Sequence, residues 1–116
     1  MPDRRSILLV DDDQATRQAM AKLLIQDGFK VIAVGSIPEA LPKLGNQNYL
    51  ILDVHLPDGL GLTVLRAAHR NHPNTKVAVC TGATDVALLR AVALERPDVL
   101  LRKPIDMNTL TNWLAS

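Results

Sequence analysis

Cysteine is nearly absent from this chain: Cys80 is the single one among 116 residues. A lone cysteine builds neither a disulfide framework nor a Cys-rich zinc site. Long apolar runs are missing as well, and nothing approaches the ~18–20 residues of a membrane span. Met1–Arg5 leads straight into the Ile7–Val10 run and then into three aspartates, which is no secretory signal. No membrane partner is expected, and the cytoplasm is the expected compartment. An excess of charge of one sign is lacking too. Lys and Arg number 13 against 12 Asp and Glu, for a net charge of +1, so there is no whole-surface basis for direct binding of nucleic acid. Internal repeats and low-complexity tracts are absent, and Pro and Gly are scattered as punctuation. What remains is 47% hydrophobic and 22% charged, the composition of an ordinary globular domain. Its length suffices for one real core, so residues 1–116 are expected to form a single domain.

Two periods alternate along the chain. Ile7–Val10 is a continuous aliphatic run, as a strand buried on both faces requires. Asp13 is placed to cap a helix over 14–27, whose apolar face is read as Ala19, Met20, Leu23 and Leu24. Gly28 ends that helix. Lys30–Val34 reads as a second strand. Ser36 and Glu39 have capping-box spacing for a short helix, which Pro42 interrupts for want of an N–H. Tyr49–Leu52 is a third strand, ended by Asp53. A turn at Leu56-Pro57-Asp58-Gly59 leads into a helix over 60–71. Lys76–Cys80 and Asp98–Leu101 complete the strands. Helices are expected from Ala83 or Thr84 to Glu95 and over Met107–Leu114, the latter capped by Asp106. Five strands alternating with five helices predict right-handed crossovers and a parallel sheet covered on both faces.

Asp11 and Asp12, Asp53, Thr81 and Lys103 all stand where strands end. The gaps between them are about two, one and one βα units, at roughly 20–25 residues per unit. All therefore fall at the carboxyl edge of the sheet, where such folds bind ligands. Three ionised carboxylates in one pocket repel one another. A hard divalent cation such as Mg²⁺ relieves this with oxygen ligands. A lysine adds a second fixed positive charge, and a threonine hydroxyl donates to an anionic oxygen. This set suits phosphoryl transfer to a carboxylate.

Six motifs stand in order: Leu9-Val10-Asp11-Asp12-Asp13, Ile51-Leu52-Asp53-Val54, Leu56-Pro57-Asp58-Gly59, Gly61, Thr81-Gly82 and Lys103-Pro104. Together they resemble the receiver domain of two-component response regulators over essentially the whole chain. The resemblance implies a flavodoxin-like doubly wound (βα)5 fold with strand order 2-1-3-4-5. It implies that Asp53 is the phosphoacceptor, served by a phosphohistidine on a sensor histidine kinase or a histidine phosphotransfer protein. Asp11, Asp12, Asp53 and the backbone carbonyl of His55 would bind Mg²⁺. Thr81 would bond a phosphoryl oxygen and move toward it, Lys103 would pair with the acyl phosphate, and the Lys103–Pro104 bond would be cis. No catalysis is implied beyond the chain's own phosphotransfer and autodephosphorylation. The downstream effector is not legible, and dimerisation is left open.

Other positions read more simply. Asp13 is a helix cap, Cys80 a small core residue, His69 and His72 surface residues at a helix end, and Trp113 a packing residue. The His55 side chain is placed to overhang the site, and Ala83 lies close to it. Leu100 stands where many receivers carry Tyr or Phe, which leaves the family's aromatic readout without its ring. Arg96-Pro97 replaces a commoner Gly-Ala pair, and Gly82 a commoner Ala. A receiver-fold interaction module working without phosphorylation is the second reading. The complete Asp/Asp/Thr/Lys set argues against it. An aspartyl-nucleophile phosphatase would place its nucleophile in a D-x-D pattern at the end of the first strand. Here that strand ends in adjacent aspartates, the candidate nucleophile follows the third strand, and no cap insertion is present. A flavin or nucleotide binder would need a Gly-rich loop there.

Overall fold

A computed structural model describes residues 5–56, 59–82, 84 and 86–116, with backbone alone at 59 and 60. Pro57 and Asp58 of the expected turn, and Ala83 at the expected start of a helix, lie outside the described residues.

Five strands form one parallel sheet: β1 (Ser6–Val10), β2 (Lys30–Val34), β3 (Tyr49–Asp53), β4 (Lys76–Thr81) and β5 (Val99–Arg102). Their spatial order is β2-β1-β3-β4-β5, the order that the resemblance implies. The helices are α1 (Gln14–Gln26), α2 (Ile37–Ala40), α3 (Leu62–Asn71), α4 (Val86–Leu94) and α5 (Met107–Ala115).

The central strands alternate two apolar sets. Leu8, Val10, Leu50, Leu52, Val77 and Val79 pack with Ala40, Val64, Leu65, Ala68 and Val92, so α2, α3 and α4 cover that face. Ile7, Leu9, Tyr49, Ile51, Ala78 and Cys80 pack with Met20, Leu24, Leu110 and Leu114, so α1 and α5 cover the other. Burial on both faces is why these strands read as continuous aliphatic runs.

Local chemistry sets the helix ends. The Asp13 carboxylate accepts from the Thr16 N–H at 3.2 Å and from the Thr16 hydroxyl. Gly28, at φ 98°, takes the left-handed conformation that closes α1. Ser36 caps α2: its Oγ accepts from the Glu39 N–H at 3.4 Å and its hydroxyl donates to Glu39 Oε1 at 2.9 Å. Pro42 falls in a 3₁₀ turn (Leu41–Lys43) that follows α2, so this element is short, as expected.

Two expectations need correction. The buried stripe of α1 is Met20 and Leu24 alone, while Ala19 and Leu23 are exposed. Periodicity fixes the direction of an apolar face, but tertiary packing fixes its width. The third helix begins at Leu62 rather than Leu60, because Leu60 pairs with His55 in a two-residue antiparallel ladder. Gly61 caps that helix, giving its N–H to the Val54 carbonyl at 2.7 Å. Arg96, in the Arg96-Pro97 pair ahead of β5, has φ 53°, a region that favours glycine.

Candidate functional site

Sheet register builds the site. Val10 pairs with Leu52, so Asp11 and Asp53 leave adjacent strands one residue later at the same level. The next strand pairs Cys80 with Asp53 and Thr81 with Arg102, which brings Lys103 to the same edge. The Lys103 N–H donates to the Thr81 carbonyl at 2.9 Å, and the Lys103–Pro104 bond is cis. The chain moves from β1 out to β2 and returns to β3 on the opposite side of β1. The crevice between β1 and β3 is the topological switch point.

Asp11 and Asp53 are buried, Asp12 is exposed, and Thr81 is fully buried. The carboxylates of Asp11, Asp12 and Asp53 each offer an oxygen within 4.8 Å of the others. The half-buried Lys103 ammonium bridges two of them, at 2.9 Å to Asp53 Oδ2 and 3.3 Å to Asp11 Oδ2. Burial works against the charged lysine. The hydrogen bond and charge of Asp53, with those of Asp11, outweigh it and hold the Lys103 pKa above its ordinary value. One ammonium cannot offset three carboxylates, and an all-oxygen set at this separation fits a hard divalent cation.

The flanking groups are committed elsewhere. Asp53 Oδ1 accepts from the His55 N–H at 3.1 Å, while the His55 side chain is exposed. Asp13, fully exposed, is held below the usual carboxylate range by the Thr16 hydroxyl and the Thr16 N–H, so it serves as the cap. Cys80 sits beside Asp53 in the register, but burial pushes its thiol up to about 12. It is a protonated core residue at neutral pH. Trp113 packs edge-on against Tyr49 at 5.5 Å, as expected of a packing residue. His69 and His72 are half-buried rather than freely exposed, and His72 caps the end of α3.

The residue-by-residue expectation therefore brings Asp11, Asp12, Asp53 and Lys103 into one cluster, with Thr81 and His55 on the adjoining strand and loop. Two nearby features escaped it. Arg17 donates to the Asp11 carbonyl at 2.7 Å. A groove of about 340 Å³ runs from Lys103 between α1 and the loop after β5, lined by Thr16, Ala19, Met20, Leu23, Ile105 and Met107. A cation in the first turn of a helix, against the helix dipole, was the signal for the first. The exposed Leu23 has no counterpart in sequence pattern alone.

Residues 7–115 match the family model described as response regulator receiver domain. The photosynthetic apparatus regulatory protein RegA of Rhodobacter capsulatus is 33% identical over 114 residues, 97% of this chain and 62% of that protein. The acid tolerance regulatory protein ActR of Rhizobium meliloti is 33% identical over 94% of this chain and 57% of its own length. The chain thus spans about three-fifths of these relatives. Among solved structures, the signal receiver domain of an HD domain-containing protein from Pseudomonas fluorescens Pf-5 superposes with a TM-score of 0.91. It has 28% identity, over 99% of this chain and 87% of that one. The response regulator receiver domain protein of Methanospirillum hungatei JF-1 superposes with a TM-score of 0.90 at 27% identity, over 97% and 92%.

Proposed function

The chain belongs to the response regulator receiver domain family, and from that membership we infer that Asp53 accepts a phosphoryl group and thereby switches a partner or output surface. The donor is a phosphohistidine on a sensor histidine kinase or a histidine phosphotransfer protein. The observation that carries the reading is the Lys103 bridge between the buried Asp11 and Asp53 carboxylates at the switch point.

In the transfer, an Asp53 oxygen forms a bond to phosphorus as the phosphorus–nitrogen bond of phosphohistidine breaks. The electron pair leaves with the imidazole nitrogen. Asp53 Oδ1 rests on the His55 N–H and Oδ2 on Lys103, which fixes the carboxylate before attack. Lys103 is positioned to follow the charge onto the phosphoryl oxygens. The Thr81 hydroxyl donates to one of those oxygens. Asp11, Asp12, Asp53 and the His55 carbonyl are the groups that would hold Mg²⁺. When bound, the ion supplies positive charge that offsets the carboxylates and the incoming phosphoryl group.

The apolar groove beside Lys103 supports docking of the phosphohistidine-bearing partner next to the nucleophile. Among the described residues no helix is long and apolar enough to cross a membrane. Borohydride reduction after phosphorylation tests the site assignment, because it converts an aspartyl phosphate to homoserine. Peptide mapping should find homoserine at position 53; homoserine elsewhere, or none, overturns the reading.

A further inference from the structure

Arg17 stands in the first turn of α1, four residues after the Asp13 cap. That position is unfavourable for a cation, because it faces the positive end of the helix dipole. The first turn itself holds no acidic residue, and the Asp13 cap, the acid that attracts Arg17 at this end, is fully exposed and already bonded to Thr16. What repays the placement is tertiary. Arg17 is half-buried and its Nη1 donates to the Asp11 carbonyl at 2.7 Å.

Gly35, just after β2, supplies a second and independent observation. A Cβ at Gly35 would lie 2.6 Å from Arg17 Nη1 and 3.5 Å from Cζ, but an ordinary 3.7 Å from the Asp11 carbonyl oxygen. The space a side chain would need at position 35 is taken by the guanidinium, not by backbone.

The other polar groups of Asp11 are also held by this chain. Its N–H donates to the Val34 carbonyl at 3.1 Å. Its Oδ1 accepts from the Asp13 N–H at 2.9 Å, and its Oδ2 from Lys103 at 3.3 Å. The Asp11 carbonyl and the Asp12 N–H share one rigid peptide plane. Fixing that carbonyl fixes the Asp12 Cα, and the Asp13 N–H, held by Asp11 Oδ1, fixes the next peptide, so together they set the direction in which the exposed Asp12 leaves the chain.

We propose that Arg17 is a positioning residue for the divalent cation, orienting Asp12 through the Asp11 carbonyl, and that Gly35 is glycine to leave the guanidinium its place. The inference rests on the reading of Asp11, Asp12 and Asp53 as a Mg²⁺ site. It carries its own sign. Arg17 is a cation near a cation site, so if it acted through charge alone its removal would tighten metal binding. As a positioning residue its removal weakens binding, as loss of a partner that orients a ligand does.

Calorimetric titration with Mg²⁺ separates these. Arg17→Met should weaken Mg²⁺ binding by about tenfold. Gly35→Ala should do the same while keeping the arginine and its charge, which preserves the test if Arg17→Met folds poorly. The double variant should bind no more weakly than Arg17→Met, since both changes break one interaction. Unchanged or tighter binding in Arg17→Met, additive losses in the double variant, or a fall in metal-free melting temperature with unaltered affinity would each overturn the proposal. A wild-type chain that takes up no Mg²⁺ would instead overturn the metal-site reading on which it stands.

Discussion

Lys103 donates to Asp53 at 2.9 Å across a pocket in which it also reaches Asp11 at 3.3 Å. One flexible ammonium thus holds two buried carboxylates that the register places side by side. Removing it leaves both charges without that partner, and a buried group stripped of a charged hydrogen bond costs about 1–3 kcal/mol. Lys103→Met is expected to lower unfolding free energy by that amount in metal-free buffer. Added Mg²⁺ should recover most of the loss, because a ligand of the folded state stabilises it by mass action. Urea melts with and without the metal check this; equal metal-free stability of variant and wild type would contradict it.

The same pair fixes a pH dependence. The Lys103 pKa is raised in the folded chain, against burial, by Asp53 and then Asp11. A raised value means that its contribution is fully present below the unfolded pKa and is lost as pH rises through the folded one. The gap in melting temperature between wild type and Lys103→Met should stay flat through neutral and mildly alkaline pH. It should narrow only once pH climbs past the ordinary lysine value of 10.5. Narrowing near neutrality would mean that some other group carries the effect.

Gly61 touches the end of the Asp53 strand from behind. A Cβ there would lie 2.6 Å from the Asp53 carbonyl oxygen and 3.2 Å from Val54 Cα. Its φ of −64° suits any residue, so the constraint is space and the obstacle is backbone. Gly61→Ala is expected to cost about 1–3 kcal/mol, the usual penalty of forced overpacking, and to slow phosphoryl uptake at Asp53. Chemical denaturation beside a labelling time course measures both; a wild-type melt would refute the steric account.

The docking role proposed for the groove beside Lys103 makes recognition separable from chemistry by experiment. Leu23 is 45% exposed and lines it. Leu23→Glu is expected to change fold stability by only about 0.5 kcal/mol, and to leave uptake from acetyl phosphate within about twofold. Transfer from a protein phosphohistidine should fall by about tenfold, a loss of about 1.4 kcal/mol of docking energy. Equal losses with both donors would mean that the substitution harms the site and not a docking face.

Much of this was legible in the sequence, for a physical reason. Strands buried on both faces read as aliphatic runs, and each ends in a polar residue, so Val10-Asp11 and Leu52-Asp53 marked the carboxyl edge of the sheet; that their strands are neighbours followed only from the resemblance. Pro42 announced the broken second helix. The ladder of His55–Leu56 with Gly59–Leu60 was not legible, since two residues carry no period. For Arg17 only the cation set against the helix dipole was legible; its partner was not, because the acceptor is the Asp11 backbone carbonyl. Leu23 was misplaced because helical spacing gives a face without saying what covers it.

The central claim is that Asp53 takes a phosphoryl group with the help of a divalent cation. Intact mass after incubation with acetyl phosphate, with and without Mg²⁺, tests it most directly. Wild type should gain one phosphoryl group only when Mg²⁺ is present, and Asp53→Asn should gain none. A gain that ignores the metal, or one that survives Asp53→Asn, would contradict the account.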